Sequence, residues 1–410
     1  MGRLLRHRDA RVYLAGQALS LIGDNSLWLA MGIYVKILTG SSSAAGLTFF
    51  AYICGLLLVP VGGLVADRVR RRPLLIAANL VTGAVVCTLL LAHGRGQLWL
   101  IYLVLFVYGA AGGMIASAQT ALLAVMLPQD LLGEANSLLV VAEVGLRVAT
   151  PVIGAGLLAW VGPKPVILLD VGTFLGSALA VLALRLREPR PERSAAPWRT
   201  ELTAGLRHVG HTTALRRLLI SAVGALLVFG FFRTVPFAVV GQGLHRSPQF
   251  LGVLESVMGA GALAGGSLAA PIMRRTSERA LVGVALTSGA LGCLLLVSTW
   301  LPMVLIAMVL VGACFVWVDV AVYTLIQRRT PKELIGRVDA ALTMAAMIPQ
   351  AMSIALGAAL IAVVDYRFLL LAMAVAFLLS AVQMVGWADP DTEAKPGAAQ
   401  VPLGADLRSD

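Results

Sequence analysis

The chain has 410 residues, of which 59% are apolar and only 13% are charged, and its formal net charge is +11. Soluble domains carry about 25% charged residues, so this composition cannot cover a water-soluble surface. The apolar content also excludes a disordered chain, and the 42 glycines follow no collagen-like period. The composition therefore predicts a polytopic membrane protein.

Twelve stretches of the chain are apolar over about 20 residues, the length that a helix needs to cross a bilayer core. The runs are continuous, whereas the strands of a membrane barrel alternate apolar and polar residues. Glycine and alanine within the runs allow close helix packing. We therefore predict an all-α membrane protein with twelve transmembrane helices. The predicted spans are centred near Asp24, Leu57, Val85, Gly109, Ala149, Phe174, Phe229, Ala262, Leu286, Val311, Ser353 and Phe377.

The basic residues are distributed unevenly between the loops on the two sides of the predicted spans. Of 32 Lys and Arg residues, 25 fall on the side of the two termini, 4 on the other side and 3 within spans. Basic loops remain in the cytoplasm, so we expect both termini to be cytoplasmic. This distribution explains the positive charge without nucleic acid, and it suits contact with anionic membrane lipids.

Three short patches of the first half recur in the second half at one offset of 203 residues. They pair Gly62-Gly63 and Arg71-Arg72 with Gly265-Gly266 and Arg274-Arg275, residues 127–136 with 330–339, and Thr173-Phe174-Leu175 with Ala376-Phe377-Leu378. Two parallel repeats of six spans predict a transporter with its substrate site between the halves. The predicted divisions are an N-terminal six-helix bundle (1–186), a cytoplasmic linker (187–212), a C-terminal six-helix bundle (213–387) and a disordered cytoplasmic tail (388–410).

The loop after the second span carries a motif of glycine, aspartate and arginine at fixed spacing. It comprises Gly63, Asp67, Arg68, Arg71 and Arg72. The motif resembles motif A of the major facilitator superfamily, except that Arg70 stands where the family usually has glycine. The resemblance implies two pseudo-symmetric six-helix bundles and a loop that latches the cytoplasmic side in the outward-facing state. The alternative is a plain basic loop at the membrane surface.

Further segments resemble one bacterial exporter subgroup, which contains macrolide-efflux proteins and the enterobactin exporter. They are Gly23-Asp24-Asn25, LLGEANSLL (131–139), LDVGTFLGSAL (169–179) and IQRRTPKELIGRV (326–338). The resemblance implies a secondary active transporter of the bacterial cytoplasmic (inner) membrane. We expect a proton-coupled antiporter that exports amphipathic small molecules, such as drugs, antibiotics or siderophores, by alternating access and contributes to multidrug resistance.

Two features of the sequence leave the transported substrate and the coupling open. Gly23-Asp24-Asn25 also resembles bacterial lysophospholipid transporters, so a lysophospholipid transporter or flippase is the alternative. The arginine that drug/proton antiporters often carry in span four is absent from LVLFVYGAAGGM (103–114). Their span-five motif is only partly present, around Pro151 and Gly154.

Ionisable residues at membrane depth are costly and mark functional sites. Asp24 lies near the middle of the first span, and Gln17, Ser20 and Trp28 share its helical face. This polar stripe should line the cavity. Asp24 is therefore either a proton-linked or cation-binding carboxylate, or a structural hydrogen-bond acceptor.

Five other charged residues complete the set of substrate or proton-coupling candidates: Glu143, Arg147, Arg233, Glu255 and Asp319. Glu143 and Arg147 are four residues apart on one span and can pair. Arg147 then either forms a closed salt bridge, pairs with Asp24 or meets an anionic substrate. Arg233 contacts either the substrate or Glu255. Asp170 and Asp339, nearer to span ends, are interpreted as structural.

Aromatic residues provide candidates for an adaptable pocket around a bulky substrate. Together with Gln17, Ser20 and Trp28, the cavity-lining candidates are Tyr108, Phe232, Trp317 and Tyr323. Each of these aromatic side chains alternatively packs between helices.

Catalytic and nucleotide-binding motifs are missing from the sequence. It has no GxxxxGK[ST] phosphate loop and no GxSxG motif, and its five histidines and four cysteines lack metal-ligand spacing. We expect no enzymatic activity, no cofactor and no metal. The expected partners are a small-molecule substrate, protons and membrane lipids, and we expect a monomer. A sensor or scaffold is disfavoured because the charges within the spans would then have no purpose.

Overall fold

The computed structural model describes residues 4–186, 227–276, 278–330 and 335–385. These residues form helices and no strands, which confirms the predicted all-α class. Eight of the described helices are long and apolar enough to cross a membrane, and four further apolar helices are shorter. Together they match the twelve predicted spans. The predicted linker and tail lie outside the described residues.

The helices form two bundles that follow one another along the chain. The first bundle contains α1 (Arg8–Thr39), α2 (Ser42–Leu56), α3 (Val59–Arg68), α4 (Arg71–Cys87), α5 (Leu98–Met126), α6 (Gln129–Val161) and α7 (Pro163–Leu182). The second bundle contains α8 (Leu227–Gly243), α9 (Leu251–Arg275), α10 (Glu278–Leu295), α11 (Leu301–Arg329), α12 (Ile335–Leu360) and α13 (Tyr366–Val385).

The helix bounds of the two bundles repeat at the offset found in the sequence patches. The bounds of α5 and α11 differ by 203 positions at both ends, and so do the bounds of α7 and α13. Internal repeats in one orientation are typical of transporter folds. The three-dimensional repeat therefore extends well beyond the three short patches.

Consecutive helices of the first bundle are joined by short turns with glycine or serine at the helix ends. Gly40 ends α1 with φ +73°, and its amide donates to the Lys36 carbonyl. The Ser41 hydroxyl accepts from the Ala44 amide and caps α2. Gly162, with φ +88°, separates α6 from α7. Glycine suits both positive-φ positions because it has no Cβ.

Two spans are interrupted within the described structure. Turn residues Leu57 and Leu58 separate α2 from α3, whereas the corresponding α9 is continuous. In α8, a turn covers residues 232–234, and a π-helical turn covers Val239–Gly243. Discontinuous helices in transporters frequently form binding sites, so the break in α8 places its residues among the candidates for function.

Glycines allow the helices within each bundle to cross at backbone contact. A Cβ on Gly109 of α5 would overlap the Tyr52 carbonyl of α2. The second bundle repeats this crossing, since a Cβ on Gly312 of α11 would overlap the Met258 carbonyl of α9. Close approach at small residues is the main packing mode of membrane helices.

The two bundles contact each other along α6 with α9 and along α2 with α12. A Cβ on Gly252 of α9 would lie 2.7 Å from the Pro151 carbonyl oxygen of α6. Phe49 of α2 and Phe237 of α8 lie with ring centroids 6.0 Å apart. These contacts lie toward the end of the molecule opposite to the one where α4 begins.

Candidate transport site

Asp24 is held by hydrogen bonds inside the first bundle. The Tyr108 hydroxyl of α5 donates to its Oδ1 atom at 2.5 Å, and the Ser20 hydroxyl donates to its Oδ2 atom at 3.2 Å. Ser20 and Tyr108 are both buried. The predicted stripe on α1 therefore faces protein, with its buried member Gln17 two turns before Asp24.

Gly23 explains how α1 comes close enough to α7 to build this site. A Cβ on Gly23 would overlap the Thr173 hydroxyl and lie 2.6 Å from Oδ1 of Asp170. The residue before Asp24 must therefore be very small for the two helices to meet here. This contact brings the next side chain, Asp24, beside α7.

Asp170 joins the site from α7, although its place near a span end predicts a structural residue. Its side chain is completely buried, and its Oδ1 atom lies 3.5 Å from the Tyr108 hydroxyl oxygen. Its Oδ2 atom has no hydrogen-bond partner among the described residues. The sequence signal that pointed here was the segment LDVGTFLGSAL, which contains Asp170 and Thr173.

Aromatic rings surround the Tyr108 side chain. The Phe174 ring packs edge-on against it with centroids 5.8 Å apart, and the Tyr52 ring lies 6.1 Å away. Edge-to-face pairs of this kind stabilise ring positions by about 0.5–1.5 kcal/mol. The Tyr108 hydroxyl is thereby oriented toward the two carboxyl groups.

Glu143 and Arg147 form a salt bridge along α6, with Nη2 and Oε1 2.7 Å apart. The Arg147 side chain is 63% exposed and the Glu143 side chain 44% exposed, so both partners are exposed and the pair is not enclosed. Asp319 of α11 lies within electrostatic range of Arg147 and is itself exposed. Arg147 is thus paired with a carboxylate of the first bundle and lies within electrostatic range of a carboxylate of the second.

Arg233 lies in the break of α8 and connects the bundles at another point. Its guanidinium lies 5.0 Å from the ring centroid of Trp28, which is a cation–π geometry. Glu255 of α9 lies within its electrostatic range. Among the described residues no salt bridge joins Arg233 to its predicted partner Glu255, and the direct contact of Arg233 is with Trp28 of α1.

The remaining aromatic candidates occupy different environments. Phe232 is buried and packs edge-on against Phe315, with centroids 6.1 Å apart. The Trp317 indole donates to the Gly265 carbonyl at 2.7 Å and thereby joins α11 to α9. Tyr323 is 53% exposed. Phe232 and Trp317 thus contribute to packing of the second bundle, and Tyr323 remains accessible.

The motif loop lies where α3 ends and α4 begins. Arg72 donates from Nε and Nη2 to the carbonyls of Val181 and Leu182, at 3.2 and 2.7 Å. An arginine at the last carbonyls of a helix is favourable because the C-terminal end carries partial negative charge. Arg72 therefore ties the start of α4 to the end of α7.

The other motif residues have separate positions. A Cβ on Gly62 would lie 2.9 Å from Cα of Met114, whereas a Cβ on Gly63 would have only the Ser117 hydroxyl nearby, at 3.9 Å. Gly62, rather than Gly63, therefore allows the close approach to α5. Arg68 is exposed and Arg71 is half-buried at the start of α4. The Asp67 side chain lies outside the described part of the structure.

Comparison with known proteins gives relatives over most of the chain. The enterobactin exporter EntS of Citrobacter koseri is 26% identical over 348 residues, which cover 82% of this chain and 81% of that protein. An uncharacterized MFS-type transporter, y4rN of Sinorhizobium fredii, is 25% identical over 342 residues, which cover 79% of this chain and 82% of that protein.

A solved structure of a bacterial homologue of the iron transporter ferroportin, in the inward-facing state, has the same fold. Its TM-score is 0.73 at 15% sequence identity, and the match covers 93% of this chain and 98% of that one. The family model described as Major Facilitator Superfamily matches residues 13–353 and 218–405. With the paired bundles and the motif loop, these matches confirm the predicted resemblance: the chain belongs to the Major Facilitator Superfamily.

Proposed function

We propose that this transporter is a proton-coupled exporter of amphipathic small molecules, such as a drug, an antibiotic or a siderophore, which works by alternating access. The observation that carries the proposal is the arrangement of charged residues of both bundles around the region where the bundles face each other. Arg147 lies within electrostatic range of Asp319, and Arg233 within range of Glu255. Charges at membrane depth are retained where they serve transport.

The residues near Arg147 support an amphipathic substrate. Arg147 and Asp319 provide one positive and one negative group with exposed surface, and Tyr323, one turn after Asp319, adds an exposed ring. A pocket with a few polar groups and aromatic walls suits a molecule with both polar and apolar parts. The enterobactin exporters, at 26% identity, support export as the direction of transport.

Asp24 is the proposed proton-coupling residue. It is a carboxyl group at the middle of a span, held by Tyr108 and Ser20 in this conformation. In the alternate conformation, Arg147 exchanges Glu143 for Asp24, and the new partner favours release of the Asp24 proton. Such an exchange couples proton release to the movement of one bundle against the other.

The proposed orientation follows the charge distribution of the sequence. Both termini and the loop with Arg71 and Arg72 lie in the cytoplasm, and the protein resides in the bacterial cytoplasmic membrane. Protons entering along their gradient then drive the substrate outward. This arrangement makes the protein an antiporter.

Accumulation of a panel of fluorescent drugs and antibiotics in an efflux-deficient bacterial host tests the proposal. We expect expression of the wild-type protein to lower accumulation of at least one compound, and a protonophore to abolish the difference. Cells that express the Asp24→Asn variant should accumulate the compound to the same level as cells without the transporter. Asp365→Asn is the matched control, because Asp365 is exposed and its Oδ1 atom only caps the start of α13.

A lysophospholipid transport assay with the purified protein in proteoliposomes tests the alternative substrate class. Two results together would contradict the exporter proposal. The protein would move labelled lysophospholipid in proteoliposomes without a proton gradient, and it would leave the accumulation of every tested drug unchanged. Drug efflux that persists undiminished in Asp24→Asn would contradict the role of Asp24.

A further inference from the structure

We propose that Asp170 is a second proton-binding residue, and that Asp24 and Asp170 hold one exchangeable proton between them with the Tyr108 hydroxyl as their link. The inference deepens the proposed function and rests on it, because it adds a residue to the proton-coupling site. From its position near a span end, the sequence predicts only a structural role for Asp170.

The geometry places the phenol oxygen between the two carboxyl groups. Tyr108 lies 2.5 Å from Oδ1 of Asp24 and 3.5 Å from Oδ1 of Asp170, so the two carboxylate oxygens are at most about 6 Å apart. A tyrosine hydroxyl has one proton and accepts further hydrogen bonds. When it donates to Asp24, it can serve Asp170 only as an acceptor, which requires a proton on Asp170.

The free oxygen of Asp170 is the second, independent observation. The side chain is completely buried, and its Oδ2 atom has no hydrogen-bond partner among the described residues. A buried carboxylate without donors is costly. The surroundings of Asp170 therefore suit a carboxyl group that carries a proton.

The polar groups described around the pair come from α1, α2 and α6, and Tyr52 is the titratable one among them. On α1, Ser20 donates to Asp24, and α2 contributes Tyr52, which lies within electrostatic range of Asp24 and of Arg233 from α8. On α6, the carbonyl of Thr150 accepts from Ser26 of α1. Among the described residues, no salt bridge joins Asp24 or Asp170 to a lysine or arginine. A proton is therefore the positive charge that balances two adjacent carboxylates.

Proton transfer through Tyr108 leaves the charges balanced. The Asp170 carboxyl proton moves to the phenol oxygen while the phenol proton moves to Asp24. Asp170 becomes ionised, Asp24 becomes protonated and Tyr108 remains neutral. The pair can therefore pass its proton from α7 to α1 without any charged tyrosine.

Infrared difference spectroscopy of the full-length protein in lipid vesicles, titrated over pH, tests the shared proton without a substrate. The carboxyl C=O band reports protonated side chains, and its midpoint belongs to the pair when two sites are coupled. We expect the titrating band of the wild type to be lost, or its midpoint to move by about one pH unit or more, in both Asp24→Asn and Asp170→Asn. Asp365→Asn should leave the band unchanged.

Independent titration of the two carboxyl groups would contradict the inference. A midpoint that stays at the wild-type value in either Asp24→Asn or Asp170→Asn would show that the two groups titrate independently. A midpoint that differs between Na⁺ buffer and choline buffer would show that the pair binds a metal cation, and this result would also overturn the proposal.

Tyr108→Phe keeps both carboxyl groups and protects the test if Asp170→Asn fails to fold. We expect the midpoint of Tyr108→Phe to move by about one pH unit or more, because the link between the carboxyl groups is lost. An unchanged midpoint would overturn the link. Drug transport by the same vesicles is measured separately, so a coupled band without transport contradicts only the proposed export, and transport without a coupled band contradicts only the shared proton.

Discussion

The two bundles repeat the same helix crossings, but the carboxyl–tyrosine site of the first bundle has no counterpart among the described residues of the second. At the offset of 203, Asp24, Tyr108 and Asp170 correspond to Leu227, Val311 and Met373. Val311 and Met373 are buried apolar residues. The backbone architecture is thus duplicated, whereas the chemistry at its centre is not.

Aromatic packing replaces the polar site in the second bundle. Phe229 stacks on Phe315 with centroids 3.9 Å apart and lies 5.5 Å from Phe377, the counterpart of Phe174. An aromatic cluster has no group that binds a proton at membrane depth. The comparison places the proposed proton site in the first bundle, whereas Arg233, Glu255 and Asp319 belong to the second bundle.

The largest expected effect that tests this asymmetry comes from Gly23→Ala. The new Cβ would overlap Thr173 and separate α1 from α7, so we expect a loss of about 1–3 kcal/mol in unfolding free energy, as for overpacked cores, and loss of efflux. Thermal unfolding in detergent and the accumulation assay measure both. Gly172→Ala is the control, because a Cβ there meets nothing within 4 Å. Equal behaviour of the two variants would refute the close contact.

Symmetry of the helix crossings predicts similar costs in both bundles. Gly109→Ala and Gly312→Ala each place a Cβ against a backbone carbonyl, of Tyr52 and Met258 respectively. We expect each to lower the unfolding free energy by about 1–3 kcal/mol. Gly145→Ala, in open space, should be neutral or stabilising. A large cost in one bundle alone would break the proposed equivalence.

The contact between Trp28 and Arg233 should contribute less. A double-mutant cycle of Trp28→Leu with Arg233→Gln is expected to give a coupling of about 0.5–2 kcal/mol, because the guanidinium lies over the ring. Chemical unfolding in detergent measures it. Trp160, which is 91% exposed, gives the control pair Trp160→Leu with Arg233→Gln. Coupling of zero for Trp28 would mean that this contact does not hold the bundles together.

The smallest effect on stability is expected from Glu143→Gln. Both side chains of the salt bridge between Glu143 and Arg147 are exposed. Its removal should therefore lower the unfolding free energy by about 0.3–0.5 kcal/mol. A much larger loss would show that the pair is structural rather than available to a substrate. The counterpart positions in the second bundle, Ala346 and Gln350, cannot form such a pair.

The spans, the repeat and the motif loop were predictable from sequence because each depends on local patterns. Apolar length determines a span, and one offset relates three patches that are each close in sequence. The pairing of Glu143 with Arg147 was predictable for the same reason, since a helix brings residues four apart together.

Contacts between helices were less predictable, because they depend on packing that no single span specifies. Asp170 joins Asp24 only because Gly23 lets two distant helices touch. Trp317 is predicted as a pocket residue because it is aromatic, but its indole donates a hydrogen bond to the Gly265 carbonyl on the adjacent helix. The break at Arg233 was also missed, since Pro236 alone does not determine where a membrane helix is interrupted.

The seam between α6 and α9 has a mechanical consequence. Gly252 and Gly259 face the backbone around Pro151, Arg147 and Val148, so two nearly smooth surfaces meet where side chains would otherwise interlock. Pivoting along such a seam requires little repacking of side-chain conformers. If the bundles rock during transport, as proposed above, the movement is opposed mainly by the polar and aromatic contacts beside this surface, such as that of Arg233 with Trp28.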